Sequence, residues 1–252
     1  MKLWSLALVF ASFAVNGDDW VPFHLPWDAP SDALADARFL LDPPAGKHGF
    51  IQEHDGHFWF PGVGQKRFWA VNLSGEANFP PLEVAPRVAD RLAKFGFNLV
   101  RMHGLDAPWG NTFFRWHAPD TQHFEPGQFE KFDNLVAELE RRGIYLNLDL
   151  HVGRKFTAAD GVAQAQWLGY GKYCVIFDPR MIELQQDYAR QLLTHRNPRT
   201  ARTYAEDPAV VSSSCRTRIH FSWRGPPVSC VAGRLRRPRP TAATFRRTMS
   251  RS

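Results

Sequence analysis

The sequence predicts an α/β fold, a partial (βα)8 TIM barrel preceded by an N-terminal β-hairpin. Strand-like apolar runs alternate with amphipathic helical segments between residues 68 and 211. The segments after the strands are long and those after the first helices are short, as in barrels whose site lies at the carboxyl ends of the strands. Asp55-Gly56 lies between two alternating apolar runs within 49–62, which predicts the hairpin. The length of 252 residues permits one such barrel or two small domains.

The first 17 residues have the layout of a secretory signal peptide. Lys2 precedes an apolar run over 3–15, and small residues follow as far as Gly17. The run is too short for a membrane span. We therefore expect a secreted or periplasmic protein without an integral membrane segment after signal removal. The alternative is a buried first helix.

Residues 18–48 are rich in Pro, Asp and Ala, and they predict an irregular segment. From there onward, strands and helices alternate. The predicted strands are 68–73, 98–104, 144–151 and a fourth beginning at 208–211. The predicted helices are 81–95, about 127–142 and one opened by Asp178-Pro179. This order favours a parallel sheet with right-handed crossovers, so we assign residues 49–211 to the partial barrel.

Each predicted helix carries one apolar stripe at helical spacing. The stripes are Ala85, Val88, Leu92 and Phe95 on the first helix, Phe129, Phe132, Val136 and Leu139 on the second, and Met181, Leu184, Tyr188 and Leu192 on the third. Gly96 and Gly143 stand where C-terminal caps are expected.

Charge is divided unevenly between the body and the C-terminal tail. Residues 1–211 carry a net charge of −4, whereas residues 212–252 contain 10 Arg, no Lys and no acidic residue. The overall charge of +6 therefore does not indicate a nucleic-acid-binding protein. Cys174 is the only cysteine before the tail, so no disulfide can form within the body.

The tail over 212–252 has a composition typical of an out-of-frame translation of a GC-rich gene, because it is rich in Arg and lacks Lys. The change also falls in the middle of the fourth predicted strand. We expect this segment to be out of frame, and thus the barrel to be truncated. A real disordered basic tail and an unrelated second module are the alternatives.

Polar side chains alternate along two of the predicted strands. Arg101 and His103 share one face of the second strand, and Asn147, Asp149 and His151 share one face of the third. The intervening leucines suit contact with helices. We expect Arg101, His103, Asp149 and His151 to converge inside the carboxyl mouth of the barrel, joined by Asn72 from the first strand. A satisfied internal pair of Arg101 and Asp149 is the structural alternative.

Aromatic residues concentrate in the two long loops. Their faces can stack on the apolar C–H faces of sugar rings. The candidates for substrate binding are Trp109, Trp116, Trp167 and Tyr170 in these loops, together with Asn72 on the first strand. Alternatively, these rings only hold the loops against the barrel rim.

The segments RFWAVNL, GFNLVRMHG and RRGIYLNLDLH, preceded by GFIQEHDGHFWF, resemble the N-terminal half of glycoside hydrolase family 5 and its clan A relatives. These are retaining cellulase-like and mannanase-like (βα)8 barrels. The resemblance covers roughly residues 49–211. It implies that Arg101 supports a nucleophilic carboxylate and that His151 lines the subsite around the scissile bond. It further implies hydrolysis of O-glycosyl bonds in a β-linked polysaccharide or oligosaccharide, with no metal or cofactor.

The chain departs from that pattern in its carboxylates. Family members carry an acid/base Glu after strand four and a nucleophilic Glu after strand seven, whereas no Asp or Glu follows Asp207 here. We therefore expect a glycosidase by descent that is inactive as encoded. A non-catalytic carbohydrate-binding remnant is one alternative, and a metal-dependent barrel hydrolase using His103 and His151 is another.

Overall fold

A computed structural model describes residues 36–114, 118–170 and 172–214. Within them, the strands are β1 (Gln52–His54), β2 (His57–Phe60), β3 (Gly64–Gln65), β4 (Ala70–Ser74), β5 (Leu99–His103), β6 (Tyr145–Asp149), β7 (Arg196–Asn197), β8 (Arg202–Thr203) and β9 (Val210–Ser214). The α-helices are α1 (Ala85–Lys94), α2 (Pro126–Arg141) and α3 (Pro179–Thr194). Short 3₁₀ turns lie between them.

The main sheet has four parallel strands in the order β4-β5-β6-β9. Helices α1, α2 and α3 connect successive strands, so every connection is a crossover of the βα type. The four strands and three helices are the first half of a (βα)-barrel pattern. This confirms the predicted fold class.

The N-terminal hairpin is also confirmed. β1 pairs antiparallel with β2, and the turn residues Asp55 and Gly56 have φ of 50° and 77°. Two successive positive φ angles are those of a type I′ turn, which Asp-Gly adopts readily. A third short strand, β3, pairs with β2 and was not predicted.

The hairpin closes the amino end of the sheet. Phe60 is buried, and its ring lies 5.3 Å from that of Tyr145 at the start of β6. Ala45 and Ala209 complete this small apolar cluster. The sheet is therefore packed at its amino end and open to polar side chains toward its carboxyl end.

The helix-facing side of the sheet forms the main core. Val100 and Met102 on β5, and Leu146 and Leu148 on β6, are fully buried against the helices. The alternation that the sequence predicted for these strands is thus confirmed, with apolar residues toward the helices and polar residues toward the barrel axis.

Helix α1 differs from its prediction. It begins at Ala85 rather than at residue 81, and its most buried apolar residues are the alanines Ala85, Ala89 and Ala93. Phe95 was expected on the buried stripe, but it is 38% exposed because it lies beyond the last helical residue. Gly96, with φ of 71°, ends the segment as predicted.

Helix α2 lies within one residue of its predicted bounds, and α3 begins at Pro179 as predicted. All four residues of the predicted α3 stripe are buried. The Asp178 side chain accepts a hydrogen bond of 2.8 Å from the backbone N–H of Met181 and so caps the helix.

The chain between α3 and β9 forms the small antiparallel pair β7–β8, two strands that the sequence did not predict. Strand β9 continues through Ser212–Ser214, three residues past the predicted boundary. The predicted signal peptide and the tail from residue 215 onward lie outside the described residues. Among the described helices, none is long and apolar enough to cross a membrane.

Candidate functional site

A three-residue polar cluster lies at the carboxyl end of the sheet. Asp149 ends β6 with its side chain fully buried, and its Oδ2 lies 2.7 Å from Nη2 of Arg101 and 2.6 Å from Nδ1 of His103. Both partners come from β5 and share one face of it. The structure therefore brings Arg101, His103 and Asp149 together at the predicted mouth. Arg101 and Asp149 also form the internal ion pair that was the alternative to a functional role for these residues.

A layer of polar residues that includes Arg101 extends across the sheet. Asn72, Arg101, Asn147 and Ser212 are aligned in register on the four strands. The amide of Asn147 donates a hydrogen bond to Oγ of Ser212, and Asn72 is exposed. Asn72 thus reaches the axis-facing side, as predicted, in the layer below His103.

His151 has a different carboxylate partner from the cluster. It lies beyond the end of β6, is 1% exposed, and places Nδ1 2.9 Å from Oδ2 of Asp106. The same carboxylate accepts hydrogen bonds from the backbone N–H groups of 152–154. His151 was expected to converge with Arg101, His103 and Asp149 at the mouth, and the structure places it on a separate carboxylate, that of Asp106.

Asp106 is a site residue that sequence reasoning missed. The available signal was its position in GLDAP, just after β5 and opposite the end of β6. Carboxyl ends of adjacent parallel strands lie at the same edge, so a carboxylate there can reach the neighbouring loop.

Trp109 forms an aromatic platform at this mouth. Ideal Cβ atoms on Gly104 and Gly153 would lie 3.0 Å and 3.4 Å from its six-membered ring, and one on Gly75 would lie 3.0 Å from its carbonyl oxygen. A side chain at Gly75 or Gly104 would force Trp109 to shift, whereas one at Gly153 would meet Ala107 first, at 3.1 Å. Its Nε1 donates a hydrogen bond of 3.2 Å to the hydroxyl of Tyr170, and its ring centroid lies 6.1 Å from that of His103.

The other predicted aromatic positions differ from Trp109. Trp167 is 80% exposed, and Tyr173 and Phe177 are 76% and 75% exposed on the same loop. Trp116 lies outside the described residues. The structure thus joins Trp109 and Tyr170 to the polar cluster and leaves Trp167 at the surface.

Arg154 holds the two long loops against α3, and sequence reasoning missed it. Its guanidinium donates to the hydroxyl and carbonyl of Thr121, at 2.8 and 2.6 Å, and to the carbonyl of Leu184 at 2.7 Å. It also lies over the rings of Phe114 and Phe156. Burial lowers the pKa of Arg154 because water no longer solvates its charge.

Metal binding has no structural support in the described part of the chain. No group of three or more His, Cys, Asp or Glu side chains there is arranged to hold a metal ion. His103 and His151, the residues of that hypothesis, face separate carboxylates.

The fold and site together define an α/β protein of the (βα)-barrel type with a polar, aromatic-lined mouth at the carboxyl ends of its strands. The rice (Oryza sativa subsp. japonica) mannan endo-1,4-beta-mannosidase 2 is 24% identical to this chain over 219 residues. That match covers 82% of this chain and 46% of the rice protein. It confirms the resemblance to mannanase-like glycoside hydrolases. The chain spans about half the length of the curated relative it matches.

Two solved structures match part of the chain at lower identity. An endo-1,4-beta-mannanase from Rhizomucor miehei is 15% identical, with a TM-score of 0.47 and coverage of 66% of this chain and 47% of that one. A glycoside hydrolase family 5 mannosidase from the same organism is 16% identical, with a TM-score of 0.49 and coverage of 66% and 48%. No protein-family model matches the chain.

Proposed function

We propose that this chain is a glycoside hydrolase family 5 protein of the mannanase type, and that its site binds β-linked mannan oligosaccharides. The observation that carries the proposal is the Trp109 platform beside the polar cluster of Arg101, His103 and Asp149. A flat aromatic face next to hydrogen-bonding side chains matches a sugar ring, which has an apolar face and a polar edge. The similarity to the rice mannosidase supports mannan over other polysaccharides.

We also propose that the 252-residue chain binds such sugars without hydrolysing them. Retaining hydrolysis needs two carboxylates about 5 Å apart across the scissile bond. Asp149 and Asp106 are buried and engaged by other side chains, and no acidic residue follows Asp207. Glu76 is the exposed carboxylate beside Gly110 at the mouth, and it is the residue whose role in any turnover is tested below.

Binding is tested with purified full-length protein and mannotetraose, followed by isothermal titration calorimetry. We expect Trp109→Ala to weaken binding about tenfold, because stacking on the indole is lost. Trp69→Ala is the matched control, since Trp69 is 65% exposed but precedes β4 at the opposite end of the sheet. No binding by the unsubstituted chain, or equal losses in both variants, would overturn the proposal.

Turnover is measured as the release of reducing sugar from soluble mannan and from cellulose. The expected result is no release above that of a protein-free sample. Release that disappears in Glu76→Gln would instead identify an active enzyme and overturn the non-catalytic part of the proposal. The mannan-binding part would stand, because calorimetry reports it separately.

Export is the remaining part of the proposal. It is supported by the apolar run over residues 3–15 and the small residues before Asp18. Expression with and without residues 1–17, followed by mass spectrometry of the culture medium, tests it. Cleaved protein in the medium only when the segment is present is the expected result. Retention of both forms inside the cells would contradict it.

A further inference from the structure

We propose that Nε2 of His103 accepts a hydrogen bond from a hydroxyl group of the sugar ring stacked on Trp109. His103 is then a substrate-binding residue, and Asp149 is the positioning residue that holds it ready. This inference rests on the proposed function and deepens it, because it assigns one ring nitrogen to one kind of ligand group.

The first step is the protonation pattern of the imidazole. Nδ1 of His103 lies 2.6 Å from Oδ2 of Asp149, and the same oxygen lies 2.7 Å from Arg101. An ionised carboxylate can only accept hydrogen bonds, so Nδ1 carries the proton in this contact. In the neutral ring, Nε2 then keeps its lone pair and acts as an acceptor.

The second step is access. The Asp149 side chain is fully buried and cannot touch a ligand, whereas the His103 side chain is 19% exposed. Of the two groups, only the imidazole reaches the mouth. The carboxylate therefore acts on a ligand through the histidine, by fixing its orientation and its tautomer.

The third step is the neighbouring surface. The Trp109 and His103 ring centroids lie 6.1 Å apart, and the ring planes are inclined by 41°. The glycines at 75, 104 and 153 and the hydroxyl of Tyr170 fix the indole in this position. A ligand lying on the indole thus presents its edge toward the imidazole.

These features select the chemistry of the ligand. The platform needs a flat apolar face, and the acceptor nitrogen needs a neutral donor at the edge of that face. A pyranose has both, in its axial C–H bonds and its ring hydroxyls. A β-manno-oligosaccharide is the member of this class that the proposed function names.

The first experiment compares variants of the full chain binding mannotetraose by calorimetry. His103→Ala should weaken binding about fivefold to tenfold, as expected for one lost hydrogen bond. His103→Gln places an amide oxygen near the former Nε2 and should recover part of that loss. His54→Ala, a change of an exposed hairpin histidine, is the control and should leave the affinity within about twofold.

The second experiment observes the unsubstituted chain, and a variant is used only to assign the resonances. Long-range ¹H–¹⁵N spectra of the histidine side chains should show His103 protonated at Nδ1 only. Saturation with mannotetraose should then shift its Nε2 resonance. Resonances are assigned by their loss in His103→Gln.

The outcomes separate the two proposals. If the unsubstituted chain does not bind mannotetraose, both are overturned. If it binds and His103→Ala binds equally well, or the spectra show Nε2 protonated or unmoved on saturation, only the role of His103 is overturned. Partial recovery in His103→Gln together with a shifted Nε2 resonance supports it.

Discussion

The two faces of the parallel sheet are built from alternate residues of the same strands, yet they serve different ends. On the helix side, Met102 and Leu148 are fully buried in a continuous apolar core. On the axis side, Asn72 is exposed, and Arg101 and His103 are partly exposed around a buried carboxylate. Most of the apolar packing thus lies on one face, and the polar side chains that could contact a ligand lie on the other.

The sharpest test of this division removes apolar volume from the helix side. Leu148→Ala should lower the free energy of unfolding by about 2–5 kcal/mol, because a cavity replaces packed methyl groups. Asn72→Ala, on the axis side of β4, should change it by less than about 0.5 kcal/mol. Urea denaturation followed by circular dichroism measures both. Similar losses in the two variants would contradict the division.

A second test concerns pH and the amino end of the sheet, opposite the mouth. Burial and the nearby Asp207 carboxylate raise the pKa of Glu140 to about 9, from an ordinary value of 4.5. The folded chain therefore binds one more proton than the unfolded chain between these values. Its stability falls as pH rises through this window, by up to about 1.4 kcal/mol per pH unit.

Glu140→Gln should remove that fall in stability. The free energy of unfolding of the variant should therefore exceed that of the unsubstituted protein most near pH 8 and least near pH 5. Thermal unfolding across this range measures it. Glu130→Gln, an exposed position on the same helix, should leave the slope unchanged. If the stability of the Glu140 variant falls equally steeply with pH, other groups cause the fall.

A third test acts on the axis side through the backbone. Gly104 has φ of 71°, and a Cβ there would lie 3.0 Å from the Trp109 ring. Gly104→Ala should cost about 1–2 kcal/mol for the left-handed conformation and shift the indole. Differential scanning calorimetry and tryptophan fluorescence would report the two effects. Gly127→Ala in α2 meets no neighbour and should be neutral or slightly stabilising.

The smallest effect is expected on the loop surface. Trp167 is 80% exposed, so Trp167→Ala should change the unfolding midpoint by less than the equivalent of about 0.5 kcal/mol. The same variant, titrated with mannotetraose, shows whether this ring takes part in binding. A large loss of stability would mean that Trp167 packs against the fold after all.

Much of the axis side could be predicted from sequence because strand periodicity is strict. A residue two positions from Arg101 on a strand must lie on the same face, so His103 could be predicted to lie beside it. Asp149 could be predicted because it has the matching position on the adjacent parallel strand. The pair of His151 and Asp106 could not be predicted in the same way. It depends on how two loops fold beyond the strand ends, where no period constrains the side chains.

The helix side shows a related limit. The stripe of α1 was expected to bury Phe95, but the fully buried residues of this helix are Ala85, Ala89 and Ala93. Alanine is a weak hydrophobic signal, so a pattern weighted by large apolar residues misses Ala89 and Ala93. Likewise, the role of Arg154 depends on tertiary contacts with Thr121 and Leu184 that lie far from it in sequence.

The carboxylate of Asp106 has a consequence for the time scale of motion in the loop after β6. Three consecutive backbone amides, those of 152–154, donate to one buried side chain rather than to a neighbouring strand. Such amides exchange with deuterium only when the surrounding structure opens. This stretch should therefore be protected as strongly as the strand that precedes it. The backbone that lines the mouth next to Trp109 is then held in place by the side chain of Asp106, and not by hydrogen bonds between strands.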